Sequence, residues 1–114
     1  MDSHLREEIV RLHASICEGL ADPTRIMILY ALADKAHHVT ELATSLGMPQ
    51  PTISRHLKVL RDKGLVIAER RAQSVLYSLA DHRVIDALDL MRAVLADSLH
   101  SRAELARTVS QENS

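Results

Sequence analysis

The chain has 114 residues, a net charge of −1 and one cysteine. That length holds one domain and one core, and a lone cysteine excludes an intrachain disulfide framework and suits a reducing, cytoplasmic setting. With no Phe or Trp and three glycines, an aromatic core and glycine-rich nucleotide loops are excluded, and no apolar run nears the ~20 residues of a membrane span.

Leu5, Ile9, Leu12, Ile16 and Leu20 recur at helical spacing and predict a first amphipathic helix over about 4–20. Asp22-Pro23 caps and opens a second helix, with Ile26, Ile28, Leu29 and Leu32 expected in the core. Lys35 to His38 reads as a loop. Thr40 is the expected cap of a short third helix, Glu41 to Leu46, ended by Gly47. Met48 to Gly64 (MPQPTISRHLKVLRDKG) then has the form of a DNA-reading helix. Gln50 is its expected N-cap, and Pro51 presets φ at the first helical position. Ile53, Leu57 and Leu60 form one apolar stripe, Thr52, Ser54, Arg55, His56 and Lys58 take the other faces, and Gly64 closes the helix. The third and fourth helices make a helix-turn-helix over 40–63.

After Gly64 the period becomes alternating. Leu65 to Arg70 and Ser74 to Leu79 predict two strands, with Arg71-Ala72-Gln73 as the turn and Val75, Tyr77 and Leu79 on one face. A hairpin over 65–79 directly after a reading helix is a wing. Val84, Leu88, Met91, Leu95 and Leu99 predict a long last helix over about 81–108, capped by Asp81. Ile85, Leu90 and Val94 widen its stripe beyond what one small domain covers, which points to dimerisation. Residues beyond about Val109 are expected to fray. The fold class is therefore mainly α with a small β-hairpin, a single domain over 1–114 with its core at about 5–108.

The charge is uneven. Between Met48 and Leu79 there are six bases (Arg55, Lys58, Arg61, Lys63, Arg70, Arg71) against two acids (Asp62, Glu69), in a chain that is −1 overall. A local positive field of this kind suits phosphate binding.

This order of elements resembles the ArsR/SmtB family of winged-helix repressors. The residues carrying it are Leu20 to Arg25 (LADPTR), Val39 with Glu41-Leu42-Ala43, Gln50 to Leu60 (QPTISRHLKVL), Gly64-Leu65-Val66, and Tyr77 with Leu79. The resemblance implies a homodimer through the first and last helices. It also implies a recognition helix in each major groove of a palindromic double-stranded operator, and release by an inducer. Carried over, Gln50, Thr52, Ser54, Arg55 and His56 are the DNA-facing set, joined by Lys58 and by Arg70, Arg71 and Gln73 of the wing. A second reading keeps Ser54 and His56 as solvated positions, or turns His56 into the domain. The wing tip departs from the family, which usually has a Gly where this chain has Ala72 and Gln73.

The sensing chemistry is less legible. Family members that bind soft metals carry Cys-x-Cys where this chain has His38-Val39-Thr40, so the thiolates are missing. His37-His38 offers only borderline ligands there. Zinc, cobalt and nickel sensors of the family carry Asp-x-His and a later His-x-x-His/Glu pair in the last helix. Here Asp81 is present, but the next ligand position is Arg83, with His82 one residue off, and the later pair falls on Val94 and Asp97. Two other constellations stand as candidate zinc or nickel ligands: His13 with Cys17, and Asp97 with His100 and Glu104. Cys17 as a redox switch, an organic inducer, or no inducer are the alternatives. A winged helix serving only as a protein-interaction module is the competing class. No enzyme signature is present.

Overall fold

The computed structural model describes residues 1–112. In chain order its elements are α1 (Ser3–Leu12), continued by a wider helical segment at His13–Cys17, then α2 (Pro23–Asp34), β1 (His37–His38), α3 (Val39–Leu46), α4 (Gln50–Asp62), β2 (Val66–Arg71), β3 (Ser74–Leu79) and α5 (Arg83–Glu112). The chain divides into two compact units, Met1–His82 and the chain from Arg83 onward.

The core of the first unit is aliphatic. Ile28, Leu29 and Leu32 of α2, Leu42 of α3, and Ile53, Leu57 and Leu60 of α4 are buried, with Leu65 and Val66 beside them. Helix α2 contacts both α3 and α4. Ile26, expected in the core, is only half-buried. Helix α2 starts as its sequence dictates: the Asp22 carboxylate accepts from the amides of Thr24 (2.8 Å) and Arg25 (3.3 Å), and Pro23 fills the first position.

The second half of the expected loop before α3, His37 and His38, is instead a strand. His37 and His38 pair with Tyr77 and Leu76, making an antiparallel sheet in the order β1-β3-β2. Two histidines carry no alternation to announce a strand, and only their pairing with β3 makes them one. Helix α3 starts at Val39, not Glu41. His38 is its N-cap, and its amide donates to Glu41 Oε1 at 2.9 Å, the reciprocal half of a capping box.

The first helix is not uniform. Near its end the Glu18 amide donates to the carbonyl of His13, five residues back, so the turn widens into a π segment. Ser15 and Lys63 tie this segment to the end of α4: Ser15 Oγ donates to the Lys63 carbonyl at 3.1 Å, and Lys63 Nζ donates to the Ala14 carbonyl at 2.7 Å and pairs with Glu18 at 2.9 Å. Gly19 is buried, and a Cβ there would meet Leu65 Cδ1 at 2.6 Å, so the chain passes too close for a side chain. No residue of α1 is buried, and Leu5, Ile9, Leu12 and Ile16 of the predicted stripe stand exposed.

The second unit is helix α5. It begins at Arg83, two residues later than the sequence suggested, and runs through Val109 to Glu112 without the expected fraying. Ile85 and Leu88 are buried, whereas Leu90, Met91, Val94, Leu95, Leu99, Leu105 and Val109 are exposed.

Candidate nucleic-acid interface

The turn between α3 and α4 sets the angle of the reading helix. Gly47 takes φ +64°, the left-handed conformation that ends α3, and the Met48 amide donates back to the Ala43 carbonyl at 3.0 Å. The N-cap of α4 is Pro49, not Gln50. Its carbonyl accepts from the amides of Thr52 and Ile53, and Gln50 and Pro51 become the first two helical residues. A proline can cap here because the N-cap contributes its carbonyl and needs no amide hydrogen.

Ile53, Leu57 and Leu60 are fully buried, which turns the rest of α4 outward. Gln50, Ser54, Arg55, Lys58 and Arg61 are exposed, and Thr52 is half-buried. Among the described residues the Arg55 side chain reaches only Thr52 Oγ1, at 3.4 Å. Lys58 pairs with Asp62 one turn on, at 3.0 Å. The Arg61 side chain has no hydrogen-bond or ionic partner among the described residues.

His56 behaves differently from the rest of the predicted set. Its side chain is 20% exposed, with Nε2 at 3.9 Å from Asp22 Oδ1 and Nδ1 at 3.3 Å from Arg25 Nη1. This is the inward alternative of the two readings. At about 100° per residue His56 lies only about 60° from Ile53, so the helical wheel already carried that signal. Arg25 escaped the sequence reading as a working residue. Its Nε donates to the Gly19 carbonyl at 2.8 Å and its Nη2 to the Glu18 carbonyl at 3.0 Å. Its place two residues after Pro23 was the available signal.

The wing is β2 and β3 in register, with Arg70 opposite Val75 and Arg71 opposite Ser74. The turn is Ala72-Gln73, one residue shorter than expected, because Arg71 still pairs. Ala72 takes φ +55°, which is costly for a residue with a Cβ and is where other hairpins place glycine. Arg71 is held along its own strand by Glu69, at 3.1 Å. Arg70 is exposed, and its side chain has no hydrogen-bond or ionic partner among the described residues. Gln73 is exposed at the tip. Of the six bases counted in this stretch, Lys58, Lys63 and Arg71 are matched by acids and Arg55, Arg61 and Arg70 are not.

Three carboxylates are held below their ordinary range. The Lys63 ammonium lowers Glu18, by hydrogen bond and by charge. For Asp22, burial pushes upward, but the amides of Thr24 and Arg25 and the charges of His56 and Arg25 outweigh it. The His38 amide lowers Glu41 against a smaller upward push from burial, with His37 adding to the lowering. A carboxylate depressed in the fold contributes stability that is complete above its ordinary value, 4.5 for Glu and 3.8 for Asp, and is lost as pH falls through the lowered value. The thermal midpoint should therefore stay flat down to about pH 5 and drop in more acid solution. Glu18→Gln should soften that acid limb; a midpoint that rises on acidification would contradict these assignments.

His38 Nδ1 is 3.0 Å from the Val75 carbonyl, to which it donates. His37 Nδ1 lies 3.6 Å from Glu41 Oε2, ion-pair range but too long for a hydrogen bond. His13 and Cys17 are exposed at the two ends of the π segment. On α5 His100 pairs with Glu104 at 3.4 Å, and Arg107 shares the same carboxylate oxygen at 3.5 Å. Among the described residues no three His, Cys, Asp or Glu side chains are placed to hold a metal ion. Nor is any helix among the described residues long and apolar enough to cross a membrane.

A helix-turn-helix whose second helix is polar outward, followed at once by a basic antiparallel hairpin, defines a winged helix-turn-helix protein. Residues 22–68 match the family described as bacterial regulatory protein, arsR family. The HTH-type transcriptional regulator CmtR of Mycobacterium bovis is 39% identical over 100 residues, covering 87% of this chain and 85% of that one. The chain belongs to the ArsR family. The HTH-type transcriptional regulator NmtR of Mycobacterium tuberculosis is 45% identical over 76 residues, 67% of this chain; the chain spans 63% of that relative's length. The homodimeric winged helix-turn-helix DNA-binding domain of a possible ArsR-family regulator from Mycobacterium bovis superposes with a TM-score of 0.73 at 28% identity, over 87% of this chain and 91% of that one.

Proposed function

We propose that the chain is a cytoplasmic homodimeric repressor that binds a palindromic operator and leaves it when an inducer arrives. The observation that carries this reading is the division of α4: three fully buried aliphatic side chains on one face, Ser54, Arg55 and Lys58 exposed on the others and Gln50 exposed at the first position, beside Arg70 of the wing, whose side chain is unpaired among the described residues. Side chains that hydrogen-bond base edges, projecting from the first turns of a helix, suit major-groove reading, and an arginine on the hairpin suits a phosphate. Family membership supports the same reading. The dimer is supported by the exposed stripes of α1 and α5 and by the homodimeric relative.

The test is fluorescence anisotropy on a duplex taken from upstream of the chain's own gene, against a random-sequence duplex. It is run with no addition, with Zn²⁺ or Ni²⁺, and with an oxidant, and repeated on Cys17→Ser. Preference for the upstream duplex is expected, with a dimer in sedimentation at micromolar concentration. Equal, weak binding to both duplexes would leave an interaction module instead. Release by metal would assign sensing to His13, Asp97 and His100, and release by oxidant that vanishes in Cys17→Ser would assign it to the thiol.

A further inference from the structure

Arg25 joins three parts of the first unit. Through Nε and Nη2 it closes the last carbonyls of the first helix, those of Gly19 (2.8 Å) and Glu18 (3.0 Å). It belongs to the first turn of α2, where its own amide donates to the cap residue Asp22 at 3.3 Å. Its remaining nitrogen, Nη1, faces His56 Nδ1 on α4 at 3.3 Å. A guanidinium has donors only, so Nδ1 of His56 must accept, and the ring proton of the neutral imidazole sits on Nε2. That nitrogen faces Asp22 Oδ1 at 3.9 Å, too far for a direct hydrogen bond but close enough to be attracted to the carboxylate. The arrangement is partly sheltered: Asp22, Arg25 and His56 are all half-buried.

From this geometry we infer that Arg25 is a positioning residue for DNA binding, which fixes the recognition helix to the end of the first helix through the Nδ1 acceptor of His56. This rests on the repressor reading above. The polar face of α4 is held on the side of His56 by this bond and on the side of Ile53, Leu57 and Leu60 by packing. Packing is tolerant of small rotations about the helix axis, whereas a guanidinium bonded to two fixed carbonyls is not. The bond therefore sets the rotation at which Ser54 and Arg55 face outward. It also gives any movement at the end of the first helix a direct route to the reading helix. His56, on this view, acts inward and does not touch a base.

Two replacements of His56 separate these roles, because asparagine keeps an acceptor near the place of Nδ1 whereas glutamine reaches toward that of Nε2. Binding to the upstream duplex and to the random duplex is measured by anisotropy for wild type, Arg25→Ala, His56→Asn, His56→Gln and the double variant Arg25→Ala/His56→Gln. Thermal midpoints are recorded alongside. Arg25→Ala and His56→Gln should each weaken the upstream duplex about tenfold, the scale of one hydrogen bond to a charged group. His56→Asn should retain most of the affinity, and the double variant should be little worse than either single one. The inference is overturned if glutamine binds as wild type while asparagine fails, since His56 would then work through Nε2. Independent, multiplicative losses would overturn it as well.

Arg25→Ala also strips two helix carbonyls of a donor and could lower the midpoint. The ¹⁵N shifts of the His56 ring in the free protein judge the arrangement without DNA. A bare Nδ1 that changes on Arg25→Lys supports it, and a protonated Nδ1 in the neutral ring overturns it. If wild type ignores the upstream duplex altogether, the repressor reading falls, and the ring shifts still decide whether Arg25 holds α4.

Discussion

Leu57→Ala should destabilise the chain by about 2–5 kcal/mol, the range for emptying a well-packed aliphatic site. Leu57 is fully buried in the middle of α4, in the aliphatic core that also holds Leu42 of α3 and Ile28 and Leu29 of α2. A domain of this size has a total stability of roughly 5–15 kcal/mol, so the loss is a large share of it. Urea unfolding measures the effect. A loss under about 1 kcal/mol would mean that the site collapses around the cavity, and that α4 is held in place mainly by its polar attachments.

Arg55→Ala should cost the upstream duplex about 1–3 kcal/mol while changing random-sequence binding much less. Arg55 is exposed, lies on the side of α4 away from the buried stripe, and is restrained only by a long bond to Thr52. Arg70 is the contrasting case. It lies on the wing, without an acidic partner among the described residues, and Arg70→Ala should weaken both duplexes alike and flatten the salt dependence by about one unit of slope. Neighbouring Arg71 should matter less in the same assay, because Glu69 already shares its charge. A uniform loss from Arg55→Ala would remove it as a base reader, and unchanged binding in Arg70→Ala would remove the wing contact.

Much of the fold was legible because its signals are local. Asp22-Pro23 caps and opens α2 by chemistry confined to four residues. The buried stripe of α4 is a simple spacing, and the two wing strands were read to within a residue of where they lie. What escaped was made by pairing at long range. Strand β1 exists because β3 lies beside it, 37 or more residues away in sequence. The π turn depends on the anchoring of that segment by Ser15 and Lys63. Lys63 looked like part of the positive field, yet its ammonium is committed to Glu18 and to the Ala14 carbonyl.

The candidate interface divides in the same way. Ser54, Arg55 and Lys58 could be placed outward from the period alone, since burial of Ile53, Leu57 and Leu60 leaves them nowhere else to go, whereas Gln50, three residues before Ile53, is exposed at the first position of the helix. His56 sits at the border of that stripe, where periodicity permits either direction. It turns inward because Arg25, 31 residues earlier, brings a donor to its Nδ1. The sequence by itself determined the helix-turn-helix, the wing and the outward polar set, because capping, helical period and alternation are short-range and cooperative within one element. Only the tertiary structure decided which charges are free, which histidine faces inward, and that Arg25 joins the first helix to the reading helix. Those outcomes depend on which groups meet across elements, and a hydrogen bond is won or lost within half an ångström that no sequence pattern specifies.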